Sequence, residues 1–254
     1  MITTTEAIIL KSVKYRDSGK LLTVYTQEFG RCSLIANGAR TAKSKFGSAL
    51  EPMSCSNLTF YKKQNKDLHT LSAAEPAIRL RNINESFERM TAGLAICESV
   101  LASQIHEEQN LALYTLLKSS LVAMNDTTRN EQSLVFWFQA HYAAVLGFAL
   151  NPSICAASGE AVSALSADEF VVSLADGAPY SEAFAQIHSG FRMRQGALRA
   201  LQKFVQIPVE ASSTLTLTQQ TANQLADFFS LYYQFHLERN LTDRTRRFMQ
   251  AVNS

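Results

Sequence analysis

The spacing of apolar residues divides the chain into a first part with a period of two and a second part with a period near 3.6. Within the first eighty residues, five short segments are β-branched or alternate apolar with polar residues, and turn residues separate them. The predicted strands are 6–13, 20–26, 31–36, 57–61 and 68–73. Five short strands predict a small closed barrel. A five-stranded OB barrel is the leading interpretation, and an SH3-like barrel fits the strand count almost as well.

From about Asn84 the pattern predicts helices, beginning with apolar residues three and four apart at Phe87, Met90, Leu94, Cys97 and Leu101. Further helices are predicted over 113–124, 134–146, 192–206 and 225–235. The 134–146 segment is apolar nearly all round, which is typical of the centre of a bundle. Residues 153–190 show little regular pattern beyond a short predicted strand at 169–174.

These elements predict an α+β protein with two domains. An OB-fold barrel over residues 1–80 would bind nucleic acid, and an irregular α-helical bundle would follow over 81–254. Charge supports this division: residues 1–81 carry thirteen Lys and Arg against six Asp and Glu, whereas residues 82–254 carry eleven against sixteen. A basic module joined to a mildly acidic one indicates that the first part binds a polyanion.

The basic residues of the first part concentrate in a loop between the third and fourth predicted strands. This basic loop (residues 37–52) contains three cations within six residues, next to an aromatic ring expected to be exposed. Mobile cations replace the counterions of a phosphate backbone, and exposed rings stack on bases. A solvated connection that binds nothing is the alternative interpretation of the loop alone. The full predicted DNA-binding set of the barrel is Arg16, Lys20, Arg31, Arg40, Lys43, Lys45, Phe46, Lys62 and Lys63, with Tyr15, Tyr25 and Tyr61 interleaved.

A second basic group is predicted on the 192–206 helix. Arg192, Arg199 and Lys203 are seven and four residues apart, which places them on one helix face. Together with the basic tail at Arg244, Arg246 and Arg247, they would extend a nucleic-acid path or receive an acidic peptide. A solvated helix face explains the same spacing equally well.

Motifs for catalysis do not occur. The chain contains no GxxxxGK[ST], GxGxxG, GxSxG or HExxH sequence, and its five histidines lie far apart. The four cysteines form no CxxC pair, as expected of reduced thiols in a cytosol. Neither a signal peptide nor an apolar run of membrane-spanning length is evident, so we expect a cytoplasmic, non-enzymatic protein.

Several segments resemble the bacterial RecO family of DNA repair and recombination mediators. They are Gly38-Ala39-Arg40, Lys43 to Gly47, Leu50-Glu51-Pro52, Glu6 to Leu10, Phe29-Gly30-Arg31, Leu68 to Leu71 with Ala74-Glu75, and Gly196 to Leu201. The resemblance is strongest over residues 5–76. It implies an N-terminal OB fold and a helical C-terminal domain.

The resemblance also implies a function without catalysis. Such proteins bind single- and double-stranded DNA and anneal complementary strands. With RecR they help RecA to load onto DNA coated by single-strand-binding protein, whose acidic C-terminal tail they contact. We therefore expect DNA, RecR and that tail as partners, RecA as an indirect partner, no membrane, and association with the nucleoid. A protein-interaction scaffold and an RNA-binding OB protein are the alternatives.

The sequence departs from the pattern of the RecO family at the residues that would bind zinc. Many relatives bind zinc through two CxxC pairs, but here Cys155 is followed by Ser158, and the region of residues 177–183 contains no cysteine. A tetrahedral site cannot be built from one thiolate, so we expect no metal and a degenerate zinc-site region at about 153–183. Apolar packing of the 160–182 segment would replace the metal. The acidic-tail pocket is also not assigned, since no basic residue lies at the start of the helix expected over 132–150.

Overall fold

The structure, a computed structural model, describes residues 1–62, 67–103, 108–164 and 166–237. The chain divides into two compact units, Met1–Asp126 and Thr127–Ser254. We call them the barrel unit and the helical unit. The sequence-predicted boundary near residue 80 stays a prediction.

Five strands of the barrel unit form a closed barrel in the order β1-β2-β3-β5-β4. The strands are β1 (Ile2–Tyr15), β2 (Gly19–Thr26), β3 (Gly30–Ala36), β4 (Cys55–Tyr61) and β5 (Leu68–Ile78). The long β1 pairs with β4 through its first half and with β2 through its second, and a parallel β3–β5 ladder closes the barrel. This topology is the OB type, which decides between the two barrels that the strand count left open.

Alternation along the strands forms the barrel core. In β3, Cys32, Leu34 and Ala36 are buried, while the residues between them are partly exposed. In β1, three consecutive residues, Ile8, Ile9 and Leu10, are buried. Ile9 belongs to the barrel core cluster, whereas Ile8 and Leu10 do not. Since adjacent strand residues point to opposite faces, β1 is covered on its outer face as well.

Two helices complete the barrel unit. A 3₁₀ turn at Asn82–Asn84 leads into α1 (Phe87–Ser103), which packs against β1 and α2 (Leu111–Asp126). At α2, Tyr114 Oη and Lys118 Nζ donate hydrogen bonds to Glu6 Oε1 of β1, at 2.5 and 2.6 Å. Burial opposes ionisation of Glu6, but the hydrogen bonds from Lys118 and Tyr114 hold its pKa below the ordinary value.

The helical unit is built around α3 (Glu131–Val145), as its apolar pattern predicted. Leu134, Val135, Phe136, Trp137 and Phe138 are at most 6% exposed. Around α3 lie β6 (Glu169–Val172), α4 (Glu182–Ala185), β7 (Phe191–Arg194), α5 (Gln195–Phe204), α6 (Val209–Ser212) and α7 (Gln219–Leu237). Four aromatic residues of α7, Phe228, Phe229, Tyr232 and Tyr233, are completely buried in this core, whereas Phe235 is 55% exposed.

One predicted helix is wrong at its start. The 192–206 segment begins as strand β7, which pairs antiparallel with β6, and the helix starts only at Gln195. The Phe191–Arg194 stretch alternates apolar with basic residues, and its partners in β6 are 19 to 25 positions away in sequence. The pairing that fixes it as a strand is therefore non-local.

Candidate nucleic-acid interface

The basic loop folds against the turn between β1 and β2. The Arg40 N–H donates to the Ser18 carbonyl at 2.8 Å, and Arg40 Nη1 donates to the Asp17 carbonyl at 3.3 Å. Lys20 at the start of β2 forms an ion pair with Glu51 at 2.7 Å. These contacts bring the loop and the turn to one end of the barrel, which we call the loop end.

Five of the predicted DNA-binding cations share the loop end: Arg16, Lys20, Arg40, Lys43 and Lys45. Within the described residues, no carboxylate pairs with Arg40, Lys43 or Lys45, and all three side chains are exposed. Lys20 is different because Glu51 already neutralises its charge. The loop end therefore presents a local cluster of cations that are available to phosphates.

Phe46 corrects the sequence interpretation. The ring was expected to be exposed for base stacking, but it is 5% exposed and belongs to the barrel core cluster. Lys45 Nζ lies 5.5 Å from its centroid. Phe46 is therefore an apolar anchor that ties the basic loop to the barrel, and it does not present a free face to a base. Because the anchor is non-local, the loop sequence alone does not reveal it.

Two other predicted cations lie towards the opposite end of the barrel. Lys62 follows β4, and its Nζ lies 4.0 Å from the centroid of the Phe29 ring. Arg31 is the second residue of β3, and its Nη1 donates to the Leu101 carbonyl near the end of α1 at 3.3 Å. A cation favours a helix C-terminus, so Arg31 stabilises α1. Lys63 lies outside the described residues.

The outer face of β2 and β3 lies between these two ends. Leu21 is opposite Ile35, and Thr23 is opposite Ser33. All four side chains are partly exposed, and the neighbouring Val13 of β1 is 39% exposed. OB folds bind oligonucleotides on this face and on the loops that flank it, β1–β2 and β4–β5. Sequence reasoning missed this face, although apolar residues at outward positions of two strands were a usable signal.

The interleaved tyrosines divide by exposure. Tyr25 is fully buried, whereas Tyr61 at the end of β4 is 46% exposed. Tyr15, which precedes the β1–β2 turn, is partly exposed, and the Arg16 guanidinium lies 5.1 Å from its ring centroid. Tyr15 and Tyr61 therefore remain candidates for stacking, and Tyr25 is a core residue.

The second basic group separates into two parts. Arg192 belongs to β7, where its guanidinium forms an ion pair with Glu169 at 3.0 Å, so it does not share a helix face with the others. Arg199 and Lys203 lie one turn apart on α5 and are exposed. The basic tail lies outside the described residues.

Cys155 lies in a hydrogen-bonded turn. The Ser181 N–H donates to Cys155 Sγ at 3.3 Å, and the Ser181 hydroxyl lies 3.6 Å from the sulfur. Burial opposes ionisation of the thiol, but hydrogen bonds from Ser158, Ser181 and Ala157 together lower its pKa to about 6.

The surroundings of Cys155 do not fit a zinc ion. Ser158 and Ser181 supply hydroxyls where a structural site needs thiolates or imidazoles. Among the described residues, no group of three or more His, Cys, Asp or Glu is arranged to hold a metal. As expected, apolar side chains fill the segment, with Val162, Phe170, Val172 and Ala178 buried.

Models of known protein families match most of the chain, including parts of both units. Residues 1–78 match the family model "Recombination protein O N terminal", and residues 84–245 match "Recombination protein O C terminal". The chain belongs to the RecO family. It is a RecO-family DNA repair protein, with an N-terminal OB-type barrel followed by a helical region.

Several proteins named DNA repair protein RecO align with nearly the whole chain. The one from Chloroherpeton thalassium is 28% identical over 243 residues, which cover 94% of each chain. The one from Salinibacter ruber is 29% identical over 251 residues, or 99% of this chain and 94% of the relative. The one from Prosthecochloris aestuarii is 28% identical over 261 residues, or 99% of this chain and 98% of the relative.

No helix in the described parts of the chain combines the length and the apolar character that crossing a bilayer requires.

Proposed function

We propose that this protein is a non-enzymatic recombination mediator that binds single- and double-stranded DNA and anneals complementary strands. With RecR, it promotes loading of RecA onto DNA coated by single-strand-binding protein, whose acidic C-terminal tail it contacts. It acts on the chromosome in the cytoplasm. Membership of the RecO family supports the repair role.

One observation carries the proposal: the exposed cations of the basic loop have no acidic partner in the described part of the chain, and they lie at one end of the outer face of β2 and β3. Arg40, Lys43 and Lys45 are all held at the loop end, because Arg40 bonds to the β1–β2 turn and Phe46 is anchored in the core. A strand that crosses the β2–β3 face would meet these cations at its end. Phosphate contacts of this kind position a strand without reading its sequence.

Annealing requires two strands to approach although both are anionic. Cations at the loop end neutralise phosphates and lower the repulsion between strands, while base edges stay free to pair. The two basic residues of α5, Arg199 and Lys203, are both exposed and would neutralise phosphates of a second strand. No step of this mechanism forms or breaks a covalent bond.

Salt dependence tests the assignment of the basic loop. Replacing Arg40, Lys43 and Lys45 with Ala should weaken binding of single-stranded oligonucleotides evenly across sequences. The slope of log K against log salt should fall by about 2, since each single-strand phosphate contact contributes about 0.7. The charge-conserving variant Arg40→Lys, Lys43→Arg, Lys45→Arg is the control and should keep the slope. An unchanged slope in the alanine variant refutes the assignment.

Strand annealing on DNA coated by single-strand-binding protein tests the mediator role itself. The unaltered protein should accelerate annealing, and the triple-alanine variant should be slower at equal concentration. Competition between RNA and DNA of the same sequence separates this function from RNA binding. Equal annealing with and without the protein would contradict the proposal.

A further inference from the structure

A cavity of about 460 Å³ opens in the barrel unit, and the last residues of the basic loop form part of its wall. Its walls come from two segments, residues 48–55 of the chain between β3 and β4 and residues 76–84 at and beyond the end of β5. The first segment begins three residues after Lys45, and three residues span at most about 10 Å. The cavity therefore adjoins the cations of the loop end.

Two arginines make the cavity cationic. Arg79 and Arg81 follow β5, line the cavity and are exposed. Neither guanidinium has an ion pair or side-chain hydrogen bond to any residue in the described ranges. The wall contains one acidic residue, Glu51, whose carboxylate is already paired with Lys20 at 2.7 Å. An anion that enters the cavity would thus meet two free guanidinium groups.

The remaining wall combines apolar with polar surface, and one side of it is held in a fixed conformation. Met53 adopts a left-handed backbone conformation with φ of 69°, which is rare for a residue with a side chain. Its N–H donates to the Ile9 carbonyl at 2.8 Å, and the Ile9 N–H donates to the Ser54 carbonyl at 2.9 Å. Pro52 and Ile78 add further apolar surface. These backbone hydrogen bonds tie the first segment of the wall to β1, so this side of the cavity is preformed.

We propose that this cavity holds one nucleotide of a DNA strand, an assignment that rests on the proposed function. The base lies against the apolar part of the wall, and the phosphate binds Arg79 and Arg81. The volume falls within the range of about 300–1,000 Å³ typical of small-molecule sites. Guanidinium groups match phosphate oxygens in a bidentate geometry, which lysines do not offer. The apolar part of the wall, which includes Pro52 and Ile78, accepts any base.

The role of the cavity is to fix a strand where it leaves the loop end. Cations on flexible side chains hold a backbone loosely, and a strand can slide along them. A base removed from its stack and held in a cavity fixes one nucleotide. The strand then keeps its position while a complementary strand pairs with the rest of it.

Base insertion is tested with the full-length chain and a single-stranded oligonucleotide that carries one fluorescent adenine analogue, whose emission rises when it leaves the stack. The oligonucleotide should exceed the footprint of about 4–16 nucleotides of one OB fold. Binding should raise the emission. Ser48→Trp, at an exposed position in the cavity wall, fills the cavity without changing charge and should abolish the rise. An equal rise in Ser48→Trp overturns the proposal.

Phosphate binding is tested by salt dependence. Arg79→Gln with Arg81→Gln should lower the slope of log K against log salt by about 1.4, since two single-strand contacts are lost. Arg79→Lys with Arg81→Lys should keep the slope but bind several-fold more weakly, because the bidentate geometry is lost. As a control, Arg129→Gln with Arg194→Gln removes two charges from the helical unit. This variant should change neither the salt slope nor the affinity for the oligonucleotide. Circular dichroism melting confirms that each variant folds.

The outcomes separate this proposal from the proposed function. If the triple-alanine loop variant lowers the salt slope and the Arg79→Gln, Arg81→Gln variant does not, DNA binding stands and the cavity assignment is wrong. If the double glutamine variant loses binding of an acidic peptide but not of DNA, the cavity is a peptide site and the assignment is again wrong. If the unaltered protein binds no oligonucleotide, both proposals fail.

Discussion

Gly30 has a left-handed backbone conformation, with φ of 66°, and lies directly against the backbone of Glu108. A Cβ atom at this position would be 2.0 Å from the Glu108 carbonyl oxygen. Both the conformation and the contact therefore require glycine. Gly38 has almost the same φ, 69°, but a Cβ there would meet nothing within 4 Å.

This pair gives a matched prediction for stability. Gly38→Ala should lower the free energy of unfolding by about 1–2 kcal/mol, the cost of a left-handed conformation alone. Gly30→Ala should cost clearly more, because the backbone at Glu108 must also move. Urea denaturation followed by circular dichroism measures both values. Equal losses would show that the contact with Glu108 is not part of the fold.

The thiol of Cys155 makes a second prediction at this scale. Its pKa of about 6 implies a thiolate at neutral pH, whereas burial raises the pKa of Cys55 to about 11 and that of Cys97 to about 12. Ultraviolet absorbance of thiolate should therefore rise as the pH of the native protein passes through 6. Cys155→Ala should remove this step, and Ser158→Ala should move it upwards. A native protein without a thiolate below pH 8 would contradict the hydrogen-bonded turn.

At the scale of elements, Glu6 joins α2 to β1. The carboxylate accepts hydrogen bonds from Tyr114 and Lys118, and its pKa is lowered, so the ionised form stabilises the folded state. That stabilisation is complete above the ordinary pKa of the carboxyl and is lost as the pH falls through the lowered one. Glu6→Gln should flatten the decline in stability between about pH 5 and pH 3.

Chemical denaturation of the unaltered protein and of Glu6→Gln at several pH values checks this expectation. The difference between the two unfolding free energies should shrink towards low pH. As a control, Glu85→Gln removes an exposed carboxylate of the same unit and should leave the pH dependence unchanged. A constant difference between the proteins would show that Glu6 titrates normally.

The pattern of apolar and polar residues within a segment was enough to predict the elements whose conformation does not depend on distant parts of the chain. The alternation of Cys32, Leu34 and Ala36 was enough for β3, and the uniformly apolar Leu134–Phe138 run was enough to place α3 at the centre of its unit. Strand β7 was missed because Arg192 happens to match a helical spacing with Arg199, and only pairing with β6 decides its conformation. The burial of Phe46 was missed for a similar reason, since the barrel that receives its ring is distant in sequence.

For the whole molecule, the compact units change how charge is distributed. Counted to residue 81, the chain has an excess of seven positive charges. Residues 82–126 add six acidic residues against two basic ones, so residues 1–126 have an excess of only three. Residues 127–254 have an excess of one negative charge. On the proposed function, we therefore expect binding of DNA to depend on the local cluster at the loop end more than on the net charge of a unit.

The end of the barrel unit at Asp126 leads to a prediction about truncation. A chain that ends at residue 80 lacks α1 and α2 and would expose Ile8 and Leu10 on the outer face of β1. Such a chain should aggregate or unfold, because exposed apolar patches promote association. A chain that ends at residue 126 should be monomeric, fold cooperatively and bind single-stranded DNA. Size-exclusion chromatography and thermal melting compare the two.

A cooperative, soluble 1–80 chain would instead support the boundary predicted from the sequence. DNA binding by that chain would further show that α1 and α2 are not needed to hold the β2–β3 face in shape. Either result locates the minimal folded part of the protein.

The packing of α1 on the outer face of β1 also bears on how the protein is made. The first strand leaves the ribosome early, yet the helix that covers its outer side is encoded some eighty residues later. At about 5–20 residues per second, the nascent chain carries an uncovered apolar strand for several seconds. Ribosome-associated chaperones would find their substrate in that interval, and slowing translation between the codons of β5 and α1 should lower the yield of native protein.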